Sequence, residues 1–208
     1  MASYRGHLLF ASALGAAYGG VAAWRLDYDW GASLLGAGLT TLGGLLPDLD
    51  SDSGVPVREL FNVTAACVPL VAHEPLRRHG FTPEQTLVLM GGLYLVIRFV
   101  LSGVFKRWTV HRGMFHSIPA MLIAGLAIYL ACRGRPPDLR YYLAGAVMLG
   151  FLSHLVLDEL YSVDFMGARI RLNRYAGSAL KLFSRSVSAT LLTYVLLGGL
   201  GYLALLDS

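Results

Sequence analysis

The stretch His111-Arg112-Gly113-Met114-Phe115-His116-Ser117 lies between two long apolar runs and places two imidazoles and a guanidinium within seven residues. Ionisable groups are costly in a hydrocarbon environment, and those that occur there usually mark functional sites. Three further clusters stand at other ends of apolar runs. They are His7, the pair Asp48 and Asp50, and the pair His154 and Asp158. We therefore expect four separate segments to contribute to one site.

The composition indicates an integral membrane protein. Of 208 residues, 55% are hydrophobic and only 14% are charged, and the mean hydropathy is +0.57. Soluble domains carry about 25% charged residues. One soluble core cannot bury this much apolar surface, so the expected class is a polytopic α-helical membrane protein. The net charge of +4 then fits basic cytoplasmic loops and contact with anionic lipid, and no nucleic-acid partner is expected.

The apolar runs predict an all-α fold with about six to seven transmembrane helices, forming a single domain of residues 1–208. The runs cover residues 7–24, 30–46, 60–72, 85–105, 117–132, 141–157 and 187–206. The third run is shorter than the roughly 17 residues of a normal span, so a tilted, re-entrant or buried helix is expected there. Between the runs we expect a polar turn at 73–84, a basic turn at 133–140, and a loop with an amphipathic helix at 159–186.

Seven crossings would place all four clusters on the side of the N-terminus. Numbered in chain order, the first cluster (His7) opens the first run, and the second (Asp48 and Asp50) follows the second run. The third (His111 and His116) follows the fourth run, and the fourth (His154 and Asp158) closes the sixth. This side carries ten lysines and arginines, and the opposite side carries six. Positive charge favours the cytoplasm. The N-terminus and the site are therefore expected to face the cytoplasm. Arg98 interrupts the run 85–105 and is either a functional residue or one that reaches the interface or a carboxylate.

Two of the clusters have a spacing suited to a shared cation. His154 and Asp158 are four residues apart, which places both side chains on one face of a helix. Asp48 and Asp50 are two residues apart after a helix-ending proline, and two close carboxylates repel each other unless a cation or proton lies between them. The simpler alternatives are a hydrogen bond at a helix end and a solvated acidic loop.

The cluster of His111 and His116 can form one site only if the loop between them turns back on itself. His111 and His116 are five residues apart, so one helical face cannot present both, but Gly113 gives the loop the freedom to bring them together. Ser117 is placed to cap the next helix. The alternative is a pair of interfacial histidines, with Arg112 contacting a lipid headgroup.

Imidazole and carboxylate groups together suit zinc, manganese or iron. Zinc is the expected ion, with manganese or magnesium as alternatives, and the pool is large enough for one or two ions. The candidate metal ligands are His7, Asp48, Asp50, His111, His116, His154 and Asp158. Asp50, His116 and Asp158 are the candidate catalytic residues, and Arg112 is the candidate for binding an anionic substrate.

These segments resemble the YdjM-like, LexA-regulated, membrane-bound metal-dependent hydrolases. The resemblance spans nearly the whole chain and rests on four motifs. They are Gly6-His7, Leu46-Pro47-Asp48-Leu49-Asp50-Ser51, His111-Arg112-Gly113-x-x-His116-Ser117 and Ser153-His154-Leu155-x-Leu157-Asp158. The order of histidines and aspartates is also loosely similar to that of zinc-dependent phospholipases C and nucleases, although the later His and Glu of that group have no obvious counterpart here.

The resemblance implies an inner-membrane hydrolase. Combined with the clusters, it predicts hydrolysis of a phosphoester in a lipid or lipid-linked substrate by metal-activated water. Two alternatives remain open: a metal-dependent lipid amidase or esterase, and a metal-binding membrane protein or transporter without turnover. A transport site would normally lie near the middle of the bilayer, whereas these clusters lie at the ends of apolar runs.

Overall fold

The computed structural model describes residues 3–50, 55–103, 114, 116–166, 169–172, 180–184 and 186–207. These residues are mostly helical. The helices are α1 (Tyr4–Arg25), α2 (Trp30–Gly43), α3 (Val55–Arg78), α4 (Pro83–Leu95), α5 (Ile118–Ala131), α6 (Pro137–Leu160) and α7 (Val187–Leu205). A short 3₁₀-helix, Pro47–Asp50, follows α2, and a π-helical segment, Val96–Leu101, continues α4. One two-stranded antiparallel hairpin joins β1 (Val163–Met166) to β2 (Arg169–Leu172).

Four helical segments in the described residues are long and apolar enough to cross a membrane. They are Tyr4–Arg25, Pro83–Leu101, Pro137–Leu160 and Val187–Leu205. Half of the most apolar window of α6 is buried inside the protein, whereas none of that of α7 is. The α7 side chains Leu192 and Val195 are 71% and 70% exposed, as expected for a lipid-facing helix. The prediction of an all-α membrane protein is thus confirmed, and the number of crossings stays a prediction.

The chain divides into two compact units, and the first contains the candidate site. This unit comprises Met1–Asp48 and Arg112–Ser208. In it, α6 packs against α1, α2 and α5, and α5 also packs against α7. Two apolar clusters hold these helices together, one around Tyr142 and Leu143 and the other around Phe151 and Leu155. Helix α6 is therefore the central element, and the second apolar cluster lies next to its polar end.

In the second unit, Leu49–His111, a helix extends into a stretch that the sequence predicted to be a polar turn. Helix α3 runs to Arg78, so the prediction of a polar turn over residues 73–84 is wrong for its first part. Basic residues in a last turn favour a helix because they interact well with its C-terminal dipole. The helix ends where Gly80 adopts a φ of +85°, a conformation that glycine accepts without strain. In the π-helical segment, the half-buried Arg98 lies 5.3 Å from the centre of the Phe99 ring.

The hairpin replaces the predicted surface helix. In register, Val163 pairs with Leu172 and Phe165 pairs with Ile170. Apolar residues at alternate positions, with β-branched and aromatic types among them, favour strands over a helix of period 3.6. The prediction of a loop and amphipathic helix over residues 159–186 is therefore wrong at these strands. Residues 167–168, 173–179 and 185 of that range lie outside the described residues.

Arg140 is a buried helical residue although the sequence placed it in a basic turn. Helix α6 begins at Pro137, because proline is well suited to the first helical position. Arg140 is 5% exposed, and its guanidinium donates a hydrogen bond to the Tyr129 carbonyl at 3.2 Å and pairs with Asp207. Arg133 also pairs with Asp207, at 3.0 Å. This ion-pair cluster ties the end of α7 to α5 and α6.

The ion-pair cluster predicts a pH-dependent contribution to stability. Burial disfavours the ionised carboxyl, but the Arg140 hydrogen bond and the charges of Arg133 and Arg140 outweigh it and hold the pKa of Asp207 below its ordinary value. The stabilisation is therefore complete above a pH of about 4 and is lost as the pH falls through the lowered pKa. We expect Asp207→Asn to lower the thermal midpoint in detergent at pH 7, with the difference from the parent protein shrinking towards pH 3. The exposed Asp27→Asn serves as a control and should leave the midpoint unchanged at both pH values.

Candidate metal centre

Five of the seven predicted ligands come together at one end of the first unit. His7 lies in the first turn of α1, Asp48 in the 3₁₀-helix, His116 just before α5, and His154 and Asp158 near the end of α6. His7, His154 and Asp158 are 2%, 1% and 4% exposed. The side chains of His116 and Asp48 are 13% and 19% exposed. The cluster thus has a buried floor and a more open side formed by Asp48 and His116.

Helix α6 supplies the floor of the cluster. The spacing of four residues puts His154 Nε2 and Asp158 Oδ2 3.6 Å apart on one helical face. The other ring nitrogen of His154, Nδ1, lies 2.7 Å from the carbonyl oxygen of Gly44. A carbonyl oxygen only accepts, so Nδ1 carries the hydrogen. In the neutral imidazole, which is the form that binds a metal, Nε2 then has a lone pair directed into the cluster.

The end of α2 provides that carbonyl group and also positions Asp48. The last carbonyls of a helix have no partner within the helix, so Gly44, which follows the last residue of α2, can accept a hydrogen bond from His154. The buried Pro47 follows after two leucines, stops the helix and begins the 3₁₀ turn. The sequence did not predict this role for the Gly44 carbonyl, for which the available signal was the position of Gly44 three residues before the helix-ending Pro47.

His116 is held by the cap of α5. The adjacent Ser117 accepts a hydrogen bond from the Ala120 amide at 3.3 Å, as predicted for a capping serine, and donates one to the Met114 carbonyl. The amide of Ile118 also donates to the Lys181 carbonyl at 3.2 Å. Backbone contacts on both sides thus fix the entry into α5, and this places His116 over the floor of the cluster.

The facing atoms are spaced like the ligands of a metal ion. His116 Nε2 lies 3.8 Å from Asp48 Oδ1 and 3.7 Å from Asp158 Oδ2. His154 Nε2 lies 3.6 Å from the same two carboxylate atoms. These distances are too long for direct hydrogen bonds. A tetrahedral shell with bonds of about 2.0–2.1 Å separates its ligand atoms by about 3.3–3.4 Å, so these four imidazole–carboxylate distances exceed that spacing by only a few tenths of an ångström.

A cation would resolve an unfavourable contact in this cluster. His154 Nε2 is fully buried, and no described residue forms a hydrogen bond with it. Its lone pair faces two carboxylates, which are acceptors as well. A buried acceptor without a partner costs about 1–3 kcal/mol. A divalent ion among two imidazoles and two carboxylates would satisfy all of these groups, so the donor set fits zinc, manganese or iron.

His7 stands next to this set and contacts it through Asp158. Its Nε2 lies 3.2 Å from Asp158 Oδ1, the carboxylate oxygen that does not face His116 and His154. Its ring stacks on that of His154 with centroids 3.7 Å apart. Two overlapping groups could therefore hold an ion: His7, His154 and Asp158, and Asp48, His116 and His154.

The sequence profile of the YdjM inner membrane protein family matches residues 1–172. This chain belongs to that family. No curated protein and no solved structure matches it. The match covers all five clustered side chains, and it confirms the family predicted from the motifs. Together with the four long apolar helices, membership of the YdjM family fits a location in the inner membrane.

Three predicted site residues of this YdjM family member are not part of the described cluster. His111 and Arg112 lie outside the described residues. The backbone of Asp50 ends the 3₁₀-helix, and its side chain lies outside the description. Their roles, and the assignment of the whole ligand pool, stay predictions. The structure does bring together side chains from the N-terminal, second, third and fourth sequence clusters, as the topology predicted.

Proposed function

We propose that this protein is a membrane-embedded, divalent-cation-dependent hydrolase that cleaves a phosphoester in a lipid or lipid-linked substrate. The observation that carries the proposal is the buried Nε2 of His154, whose lone pair faces Asp48 and Asp158 at 3.6 Å. Zinc is the proposed ion, held by Asp48, His116, His154 and Asp158. A cation in this position supplies Lewis acidity towards a phosphoryl oxygen and lowers the pKa of water to about 7.

The position of the cluster supports a substrate from the lipid phase. His154 is six residues and Asp158 two residues from the end of α6, which corresponds to depths of about 9 Å and 3 Å along the helix. His7 is in the first turn of α1, another helix that is long and apolar enough to span. These side chains thus lie near the ends of two apolar helices, a position that would suit a lipid headgroup. In the proposed topology of six to seven spans, this end and the N-terminus face the cytoplasm.

The difference in burial between the two sides of the cluster suggests how the substrate enters. Asp48 and His116 are the more exposed members, whereas His154 and Asp158 are covered. A headgroup would therefore approach over Asp48 and His116. Arg112, four residues before His116, is proposed to bind the phosphate, because its guanidinium can form two parallel hydrogen bonds to it. Asp50, two residues after Asp48, is proposed as the general base for the attacking water.

A lipid-hydrolysis assay tests this function. The purified protein, loaded with Zn²⁺ in nanodiscs of native lipid extract, is expected to release inorganic phosphate or a phosphorylated headgroup. Asp50→Asn should retain the ion and lose about 10²–10⁴-fold in rate, as for a lost general base. The exposed Asp27→Asn is the matched control and should be fully active. Release of fatty acid would favour the amidase or esterase, and a loaded protein without any product would favour a non-enzymatic metal-binding role.

A further inference from the structure

The three histidine rings of the cluster differ in their mutual orientation. His7 and His154 are stacked, with ring centroids 3.7 Å apart and planes only 10° from parallel. His116 and His154 are 5.4 Å apart, and their planes cross at 67°. An imidazole nitrogen offers its lone pair in the plane of the ring, so these angles decide which histidines can bind the same ion.

Stacked rings cannot converge on one cation. The ring centroids are 3.7 Å apart and the planes nearly parallel, so a point midway between the rings lies up to about 1.8 Å outside each plane. A bond from nitrogen to zinc is only about 2.0–2.1 Å long, so such an ion would sit far from either lone-pair direction. The crossed planes of His116 and His154 do intersect. Only Nε2 of His154 can bind an ion, because Nδ1 donates a hydrogen bond to the Gly44 carbonyl. His154 can therefore share an ion with His116 but not with His7.

The contact of His7 with Asp158 indicates a different role for His7. Asp158 directs Oδ2 towards His116 and His154 at 3.7 and 3.6 Å, and its other oxygen lies 3.2 Å from His7 Nε2. At 3.2 Å the contact is within hydrogen-bond range, whereas the contacts of His116 and His154 with the carboxylates are 3.6–3.8 Å long. We therefore assign the hydrogen to Nε2 of His7, and a protonated nitrogen cannot bind a metal. Histidine and carboxylate partners of this kind orient metal ligands in many sites.

We infer that His7 is a positioning residue for a single-cation centre formed by Asp48, His116, His154 and Asp158. It holds the Asp158 carboxylate by a hydrogen bond and covers one face of the His154 ring. This inference rests on the cation site of the proposed function and not on the hydrolytic reaction. It removes His7 from the predicted metal ligands and predicts that the four remaining described groups bind one ion.

Cobalt titration of the full-length protein in detergent tests the inference. Co²⁺ reports its ligands through its visible absorption spectrum, and the titration gives stoichiometry and affinity without any substrate. Glutamine places an amide N–H near the position of histidine Nε2. His7→Gln should therefore keep the parent spectrum and stoichiometry, with affinity within about threefold. His7→Ala should keep both as well but bind about 10–100-fold more weakly, the usual effect of losing such a partner. His116→Ala should alter the spectrum or lose the ion.

The opposite results would overturn the inference. A changed spectrum in His7→Gln, or one fewer Co²⁺ in His7→Gln than in the parent protein, would show that His7 is a ligand. A parent protein that binds no Co²⁺ would also overturn it. Because binding is measured without turnover, a protein that binds Co²⁺ as expected but hydrolyses no lipid would remove only the proposed function. Elution of each variant as a single species in detergent confirms that it is folded.

Discussion

We expect His154→Asn to bind no divalent cation at concentrations that saturate the parent protein. Asparagine keeps an N–H near the position of Nδ1 and can still donate to the Gly44 carbonyl, but it has no counterpart of Nε2. The substitution therefore removes the buried lone pair that faces Asp48 and Asp158 at 3.6 Å. Losing a ligand should weaken binding by more than the roughly 100-fold upper range seen for outer partners.

Elemental analysis after dialysis, with Zn²⁺ titration of the stripped protein, measures this effect. His154→Ala is the second variant, because it removes both ring nitrogens and should lose the ion as well as some stability. The matched control is His79→Ala, since His79 is exposed and belongs to neither potential ion-binding group. Full zinc occupancy in a folded His154→Asn variant would show that this histidine is not a ligand, and the candidate centre would then have lost its main support.

The position of the site could be predicted because membrane proteins place ionisable groups selectively. Each of His7, Asp48 and His116 stands at a boundary of an apolar run, and the order of the runs predicted that the boundaries would meet. The spacing of His154 and Asp158 in addition predicted one helical face. The structure brings these five side chains together. The alternation of spans, from which we predicted this meeting, stays a prediction.

Other features depend on packing that no local pattern reveals. The proposed difference between His7 and His116 rests on the angles of their rings to His154 and on the contact of His7 with Asp158, and this geometry follows from how three helix ends meet. Arg140 was predicted as a loop charge, because its partner Asp207 is 67 residues away in sequence. The sequence did not predict the hairpin, because its alternating apolar residues lie in a basic stretch that is also compatible with an amphipathic surface helix.

The second large effect is expected from Gly150→Ala, in the contact between α2 and α6. A Cβ at Gly150 would collide with the Thr40 carbonyl and approach the Gly44 amide nitrogen to 2.9 Å. These are backbone atoms and cannot rotate away. Thr40 and Gly44 are also joined by a hydrogen bond at the end of α2, from the Gly44 amide to the Thr40 carbonyl at 3.1 Å. The collision must therefore push the end of α2 away from α6.

That displacement should weaken both stability and cation binding. Overpacking of this kind costs about 1–3 kcal/mol. It also moves the Gly44 carbonyl, which orients His154, and the segment that carries Asp48. We expect at least a tenfold loss in Co²⁺ affinity and a lower thermal midpoint in detergent.

Gly199→Ala is the matched control for this prediction. Gly199 lies in α7, and a Cβ there would meet nothing within 4 Å among the described residues. Alanine is favoured over glycine in a helix by about 0.8–1.0 kcal/mol, so the same substitution should be neutral or stabilising at Gly199. If both variants bound Co²⁺ as tightly as the parent protein, the close contact between α2 and α6 would not be what holds His154 and Asp48 in place. If only Gly150→Ala lost affinity, a residue without a side chain would be shown to control the site through the helix packing alone.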